Sequence, residues 1–570
     1  MILKSLYDYA RTHRDSIPPR GMEWKEIENV IVIDSDGQFK RFESKRIDKK
    51  HCARFLVAKG IKRASAPKSN ILWDNGKYVL GKGDTGNKCH PLFVDIVHTI
   101  AEKHPDDMAI QALSKFYRRS IEERETLMRE DPLYHQVEES ISANFSFRLE
   151  SEDILIAEKS HLFETKIGEN EGDNEIGRCL ITGNVGPLIR TSTPTLLPGN
   201  SPMASLVSFQ VKSGYDSYGK TQAYNSPISV EAEETYSAVI RKFLDKDSKN
   251  KLRLGNRILL FWGSGSKQDI DEEMENGFLS IFEIPDKSSS NLDDKIVKVS
   301  KLLKSIFSGE IKTTLEDRFH ILGLAPNVGR IAVVLWMDCS LEEFAGKILE
   351  HMEDMKIVNT RNLDKRRPYV GVYSMISAIT LGGKISDAQP NLIDETVKSV
   401  IYGTPYPYPL YTGALQRIRA ELSDIAPTIQ RVAILKAYLN RKYKNTNNHK
   451  PLDIMLDKTN TNPGYLCGRL TAVLEKIQSD VNSGDSIRTR YMGAASATPA
   501  AVVPAMLSLS LHHSEKLSEG SRVYYEQLKQ EIIDKFPSTG LPSHLDLNDQ
   551  GRFFVGYYHQ RADLYTKKEK

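Results

Sequence analysis

The chain has 570 residues, 40% apolar and 27% charged, the make-up of a soluble globular protein with several domains, which excludes wholesale disorder. Lys and Arg number 78 against 75 Asp and Glu, so the net charge of +3 does not mark a polyanion-binding protein by itself. No run of about eighteen apolar residues exists to span a membrane, and the first residues, MILKSLYDYARTHRD, lack the apolar core and small-residue cleavage site of a signal peptide.

In chain order, the first fifteen residues read as an amphipathic helix. VIVIDSDGQFKRFE (30–43) reads as a hairpin turning at DSDG. A calcium loop there would need a bidentate Glu where Lys45 stands, so the aspartates are expected to serve the turn. Residues 40–63 hold ten Lys or Arg against two acids. That local excess is either a phosphate-binding footprint or a solvated basic face.

SNILWDNGKYVLGKGDTGNK (69–88) raises the question of a phosphate loop. Gly81 and Gly86 have the Walker spacing, but Asn87 occupies the lysine position and Lys88 the hydroxyl position. Asp74, Asn75 and Gly76 break the apolar run, so no buried strand is expected to feed the loop. Both features argue against an ATPase. Helical periodicity covers 91–130, with Pro91 placed in a first turn.

From about 140 the texture turns β-like through ANFSFRLE, GRCLITGNVGPLIR and MASLVSFQ. A helix is predicted for VEAEETYSAVIRKFLDK and a strand for RILLFWG (257–263). Residues 318–355 read as two strands joined at PNVG, followed by a helix. The rest, from about 370, reads as amphipathic helices interrupted by a TPYPYPLY connector at 404–411. The acidic 168–175 and polar 444–451 stretches are expected to be exposed loops. The fold class is therefore α+β: a β-rich, mixed N-terminal body (1–250), a middle α/β region (251–400) and a C-terminal helical bundle (401–570).

Signatures of catalysis are missing. GSGS after Phe261 and Trp262 is not a nucleophile elbow, no HExxH exists, and the adjacent His512 and His513 cannot share a helix face. The cysteines (Cys52, Cys89, Cys179, Cys339, Cys467) form no CxxC pair, which suits a reducing cytoplasm. No metal, cofactor or catalytic residue is expected.

What remains is SLVSFQVKSGYDSYGKTQAYNS (205–226). It interleaves Phe209, Tyr215, Tyr218 and Tyr224 with Gln210, Lys212, Lys220, Gln222 and Asn225. Aromatics can stack on bases, Lys neutralises phosphate, and Gln or Asn reads base edges. A glycine-rich surface loop with packed tyrosines has the same pattern. Near the C-terminus, Phe553, Phe554, Tyr557, Tyr558, Arg561 and Tyr565 form a helical stripe suited to closing a bundle, with Arg552, His559, Gln560 and Arg561 as its polar margin.

Taken together, MILKSLYDYA, NILWDNGKYVLG, CLITGNVGPLIR, ASLVSFQVKSGYDSYGKTQAYNSPIS, FHILGLAPNVGRIAVVLW, YGTPYPYPL, NTNPGYLCGRL, RYMGAASATPAAVVPAMLSLSLHH and DQGRFFVGYYHQRADLY resemble, in this order, the large subunit of the type I-C CRISPR effector complex, Cascade. The resemblance implies a non-enzymatic, cytoplasmic subunit of a guide-RNA surveillance complex. Such a subunit recognises the protospacer-adjacent motif in duplex DNA, promotes strand separation and R-loop formation, and helps recruit a helicase-nuclease.

The partners so implied are guide CRISPR RNA, target double-stranded DNA, the backbone, guide-processing and small subunits, and the helicase-nuclease, with no membrane. It also implies that a separate small subunit can arise by internal translation, for which Met455 and Met492 are the candidate starts. Side-chain chemistry selects Asn70, Asn75, Gln210, Gln222 and Asn225 as base readers, and Lys62, Arg63, Lys77, Lys212 and Lys220 as phosphate contacts. The alternatives are a phosphate-loop NTPase or nuclease, and a purely structural RNA-binding scaffold.

Overall fold

A computed structural model describes residues 1–48, 51–61, 63, 66–163, 174–211, 214, 218–264, 268–282, 292–358, 369–422, 425–444, 446, 451–481 and 487–566. Two units emerge: residues 1–196 with 202–242, and residues 197–201 with 243–570.

In the first unit, the NVIVI run of strand β2 (Asn29–Ile33) is buried along its whole length because it lies inside a sheet. It pairs antiparallel with β3 (Phe39–Ser44) and parallel with β6 (Asn144–Leu149), and the short β5 (Trp73–Asn75) flanks β6. The hairpin forms as expected. The Asp34 carboxylate accepts the backbone N–H groups of Asp36 (3.0 Å) and Gln38 (2.8 Å), so the DSDG aspartates do serve the turn. A separate ribbon pairs β1 (Met22–Glu26) with β4 (Arg54–Ala58), and Trp73 Nε1 donates to its Ala58 carbonyl at 2.8 Å.

Helices α3 (Gly86–Lys103) and α4 (Met108–Arg118) contribute Phe93 and Phe116, whose rings pack against Phe147 of β6. Shorter helices α2 (Gly76–Val79), α5 (Ile121–Arg129) and α6 (Tyr134–Glu139) complete this side. Pro91 is not a first-turn residue; α3 starts five residues earlier, at Gly86. Pro91 and Asn87 are both exposed there, so water can take the carbonyl that the missing N–H leaves free. Helix α1 (Ile2–Thr12) precedes the sheet, and helix α7 (Val230–Leu244) closes the unit's sequence. Between them, GRCLITGNVGPLIR forms a small hairpin of β7 (Ile176–Arg178) and β8 (Val185–Pro187). MASLVSFQ is not a strand. Its short alternation finds no neighbouring strand among the described residues, and Ala204 supplies one isolated carbonyl to Thr195 N–H (2.8 Å).

The second unit is built on an antiparallel sheet of order β12-β11-β10-β9. Its strands are β9 (Lys251–Leu254), β10 (Arg257–Gly263), β11 (Arg318–Asn327) and β12 (Arg330–Ser340). The two-strand-and-helix reading of 318–355 holds: α10 (Leu341–Asp354) follows β12 directly, capped by Ser340 Oγ accepting the Glu343 N–H at 3.1 Å. Helices α8 (Gln268–Ile281), α9 (Leu292–Phe307) and α10 share a core with the sheet. In it, Phe261 stacks on Phe278 at 4.1 Å between centroids, and Phe319 on Phe344 at 4.6 Å.

The bundle follows as α11 (Val372–Ile379), α12 (Pro390–Tyr402), α13 (Tyr408–Ala420), α14 (Ile429–Tyr443), α15 (Pro463–Val481), α16 (Ile487–Ala495), α17 (Pro499–Ser514), α18 (Glu519–Ile533) and α19 (Leu547–Tyr565). Only the first half of TPYPYPLY is connector; α13 begins at Tyr408, with a proline in its first turn.

Helices α15 and α19 meet backbone to backbone. A Cβ on Gly468 would lie 1.9 Å from the Phe553 carbonyl oxygen, one on Gly464 2.4 Å from that of Asp549, and one on Gly556 2.2 Å from that of Tyr465. This close approach brings His559 and Gln560 inside, which corrects their assignment to a polar margin. His559 Nδ1 lies 3.0 Å from the Tyr465 hydroxyl, and Gln560 accepts the fully buried Arg469 Nε at 3.0 Å. Burial lowers the His559 pKa to about 3, so the ring is neutral.

Gly468→Ala is expected to destabilise the second unit by about 3 kcal/mol or more, because the obstacle is a backbone carbonyl and not a movable side chain. Gly493→Ala, within α16 and with a Cβ that would meet open space, serves as the comparison in denaturant unfolding and should leave stability unchanged or raise it by up to about 1 kcal/mol.

Candidate nucleic-acid interface

The sequence-selected residues fall into two groups. In the first, Asp74 on β5 is almost fully buried and would be a costly lone charge. Its carboxylate accepts the backbone N–H groups of Asn70 (2.9 Å) and Asn75 (2.8 Å) and pairs with the Arg63 guanidinium. Burial still raises the Asp74 pKa, against the lowering effect of these partners. Arg63 also stacks over the Tyr78 ring at 4.1 Å and donates Nε–H to the Lys68 carbonyl at 2.7 Å. A short buried strand thus forms across Asp74 because the carboxylate is neutralised in place, but it runs into helix α2, so no strand feeds the glycine-rich loop, as expected.

Asn70 is itself buried and accepts the Ile61 N–H at 2.9 Å. Asn75 caps α2, accepting the Lys77 N–H at 3.1 Å. Arg63, Asn70 and Asn75 therefore hold the segment in shape. Lys77, half-exposed on α2, has no carboxylate within 4 Å among the described residues.

The second group lies in 205–226. Gln222, at φ +50°, accepts Arg190 Nε–H at 2.8 Å through its side-chain oxygen. Asn225 donates to the carbonyls of Gln222 (3.0 Å) and Lys220 (3.3 Å). Gln210 and Lys220 are exposed, Tyr218 is fully exposed, and Tyr224 is buried. Lys62, Lys212 and Tyr215 lie outside the described residues.

The described part of the basic run at 40–63 proves to be a neutralised surface. All seven of its cations among the described residues have acidic partners: Lys40 with Asp34 (2.9 Å), Arg41 and Lys45 with Glu43 (3.0 and 2.9 Å), Arg46 with Glu28 (2.5 Å), Arg54 with Glu26 (3.8 Å), Lys59 with Glu234 (3.7 Å), and Arg63 with Asp74. Burial alone would raise the pKa of Glu43, but hydrogen bonds from Lys45 and Arg148 override it and hold the group at about 2.

A cationic surface that stands outside both groups lies on α9. Lys295, Lys298, Lys301 and Lys304 recur every third residue on its exposed side, while Ile296, Val299, Leu303 and Ile306 face the core. Lys298, Lys301 and Lys304 have no carboxylate within 4 Å among the described residues. The recurrence of lysine in KIVKVSKLLKS, with no acid between, is the signal that marks it.

Residues 3–565 match the model of a protein family described as CRISPR-associated protein (Cas_Csd1). No curated protein matches the chain.

Arg63→Met is expected to cost the first unit about 2–3 kcal/mol by stranding the Asp74 carboxylate. Adding Asp74→Asn should recover most of that loss in the same denaturant titration. Glu43 has a folded pKa below its ordinary 4.5, so its stabilisation is present above that value and is lost as the pH falls from 4.5 towards 2. Glu43→Gln should flatten this part of the acid-unfolding profile.

Proposed function

The chain belongs to the Cas_Csd1 family of CRISPR-associated proteins, and from that premise we propose that it is the large subunit of a type I-C Cascade complex. In this reading it recognises the protospacer-adjacent motif in duplex DNA and helps open the duplex so that guide RNA can pair. It then helps recruit the helicase-nuclease, with no catalysis of its own. Guide RNA, target DNA and the other Cascade subunits are its partners. The observation that carries the reading is the family match over 3–565, nearly the whole chain.

The chemistry is that of a protein which reads a short motif and leaves the longer sequence to base pairing. Un-neutralised lysines supply the salt-dependent phosphate attraction, with Lys77 and Lys220 in the first unit and Lys298, Lys301 and Lys304 in the second. Base reading falls to carboxamides. Asn75 uses its oxygen as a helix cap, which fixes the direction of its side chain.

The test is duplex binding by the assembled complex, with and without the adjacent motif. Lys220→Ala and Lys298→Ala should each weaken binding on every sequence and reduce the salt slope by about one for each phosphate no longer neutralised. Asn75→Ser, which keeps a capping oxygen, and Gln222→Ala should instead reduce discrimination of the motif by roughly 1–3 kcal/mol. Binding that ignores the motif, or magnesium-dependent ATP turnover or DNA cleavage by the purified chain, would overturn the proposal.

A further inference from the structure

In the first unit, α1, the turn through residues 14–22 and the side of α7 enclose a cleft of about 570 Å³, within the size range of ligand sites. Five cations line it: Arg11, Arg14, Arg20, Lys59 and Arg241. Only two carboxylates, Glu231 and Glu234, stand among its lining residues, and both are engaged. Glu234 lies 3.1 Å from Arg20 and 3.7 Å from Lys59, while Glu231 accepts the Tyr7 hydroxyl at 2.9 Å. Arg11, Arg14 and Arg241 are left with no carboxylate within 4 Å among the described residues.

Asn184, at the tip of the β7–β8 hairpin, lines the same cleft and is exposed. Its side-chain amide has no hydrogen-bond partner among the described residues. Gly183, at φ +75°, and Gly186 flank it, and a Cβ at either would meet open space, so the hairpin tip presents bare backbone. Pro18 and Pro19 also line the cleft, with fixed backbone.

Three guanidinium groups without acidic partners, in a concave site, suit an anion that accepts forked hydrogen bonds. An unpartnered carboxamide beside them adds a paired donor and acceptor, which a base edge can answer and an aspartate or glutamate side chain cannot. The volume holds about one or two nucleotides and excludes a duplex. We infer that this cleft binds a single-stranded nucleic acid, with Arg11, Arg14 and Arg241 on consecutive phosphates and Asn184 on a base. The inference rests on the functional reading above for the class of polyanion, and it gives that polyanion a site distinct from the residues that side-chain chemistry selects in the sequence.

The test uses the purified full chain and fluorescent single-stranded oligonucleotides, an RNA and a DNA of matched sequence in each of several base compositions, with anisotropy followed across a salt series. Arg14→Glu combined with Arg241→Glu should lower affinity at least tenfold. Each Arg→Ala change should reduce the salt slope by about 0.7. Asn184→Ala should leave the slope unchanged while weakening the preference among base sequences. Arg11, Arg14 and Asn184 are exposed and Arg241 is half-exposed, and an unchanged unfolding midpoint verifies the fold of each variant.

Tighter binding of the RNA assigns the cleft to a guide strand and tighter binding of the DNA to a displaced strand; either result supports the inference. Affinity indifferent to all three arginines, or competition by polyglutamate as effective as by unlabelled oligonucleotide, would overturn it. Motif discrimination by the assembled complex, with no binding in the cleft, would overturn this inference alone. Cleft binding that persists without motif discrimination would overturn only the functional reading.

Discussion

The second unit depends on two helix backbones approaching so closely that only hydrogen fits between them. Gly464 and Gly468 on α15, with Gly556 on α19, let carbonyl oxygens of the partner helix sit where a methyl group would otherwise be. The neighbours then take their places around this contact. Tyr411 of α13 reaches over Gly551 and donates to the Leu547 carbonyl at 2.6 Å, and Arg469 is drawn into the interior, where Gln560 and Glu531 receive it. Two of the segments that resemble the type I-C large subunit, NTNPGYLCGRL and DQGRFFVGYYHQRADLY, carry these glycines. Their resemblance therefore speaks first for this packing and only through it for a function.

Charge follows a different constraint. A cation can serve a polyanion to the extent that no acid of its own chain has already neutralised it. By that measure the described part of the densest basic stretch of the sequence is among the least available, because β1, the link between β1 and β2, the DSDG turn, helix α7 and β3 itself place Glu26, Glu28, Asp34, Glu234 and Glu43 against it. Lys298, Lys301 and Lys304 of α9 and Arg11, Arg14 and Arg241 of the α1–α7 cleft have no carboxylate within 4 Å among the described residues. The two groups differ in shape as well. A ridge on a helix offers phosphate contact without enclosure, whereas a cleft with an idle carboxamide can select.

Much of the architecture was legible because it is written in local periods. NVIVI, RILLFWG and the pair FHILGLA and RIAVVLW read as strands from apolar runs bounded by turn residues. The helices of the bundle read from apolar spacing near 3.6. Failures came where a neighbour decided the outcome. β5 forms across Asp74 because Arg63, eleven positions earlier, and two backbone N–H groups neutralise the carboxylate. MASLVSFQ alternates as a strand should and stays irregular because no strand lies beside it among the described residues. Pro91 sits inside α3 because solvent, and not a core, faces the interrupted turn. His559 and Gln560 looked like a polar margin until the glycine contact placed them opposite Tyr465 and Arg469.

The sequence by itself determined the α+β class, the positions of most helices and strands, and, through the order of its motifs, the kinship with a CRISPR-associated family. Those are properties of residue type and spacing along one chain. Tertiary structure alone decided which side chains are free to act. It engaged Asn70 with Ile61 and Arg63 with Asp74, neutralised the described part of the 40–63 run, and left Arg11, Arg14, Arg241 and Asn184 around one cleft from segments far apart in the chain. Hydrogen bonds and ion pairs act over a few ångströms of space, whatever the distance along the chain, so the availability of a charge is not a property that its sequence neighbours can report.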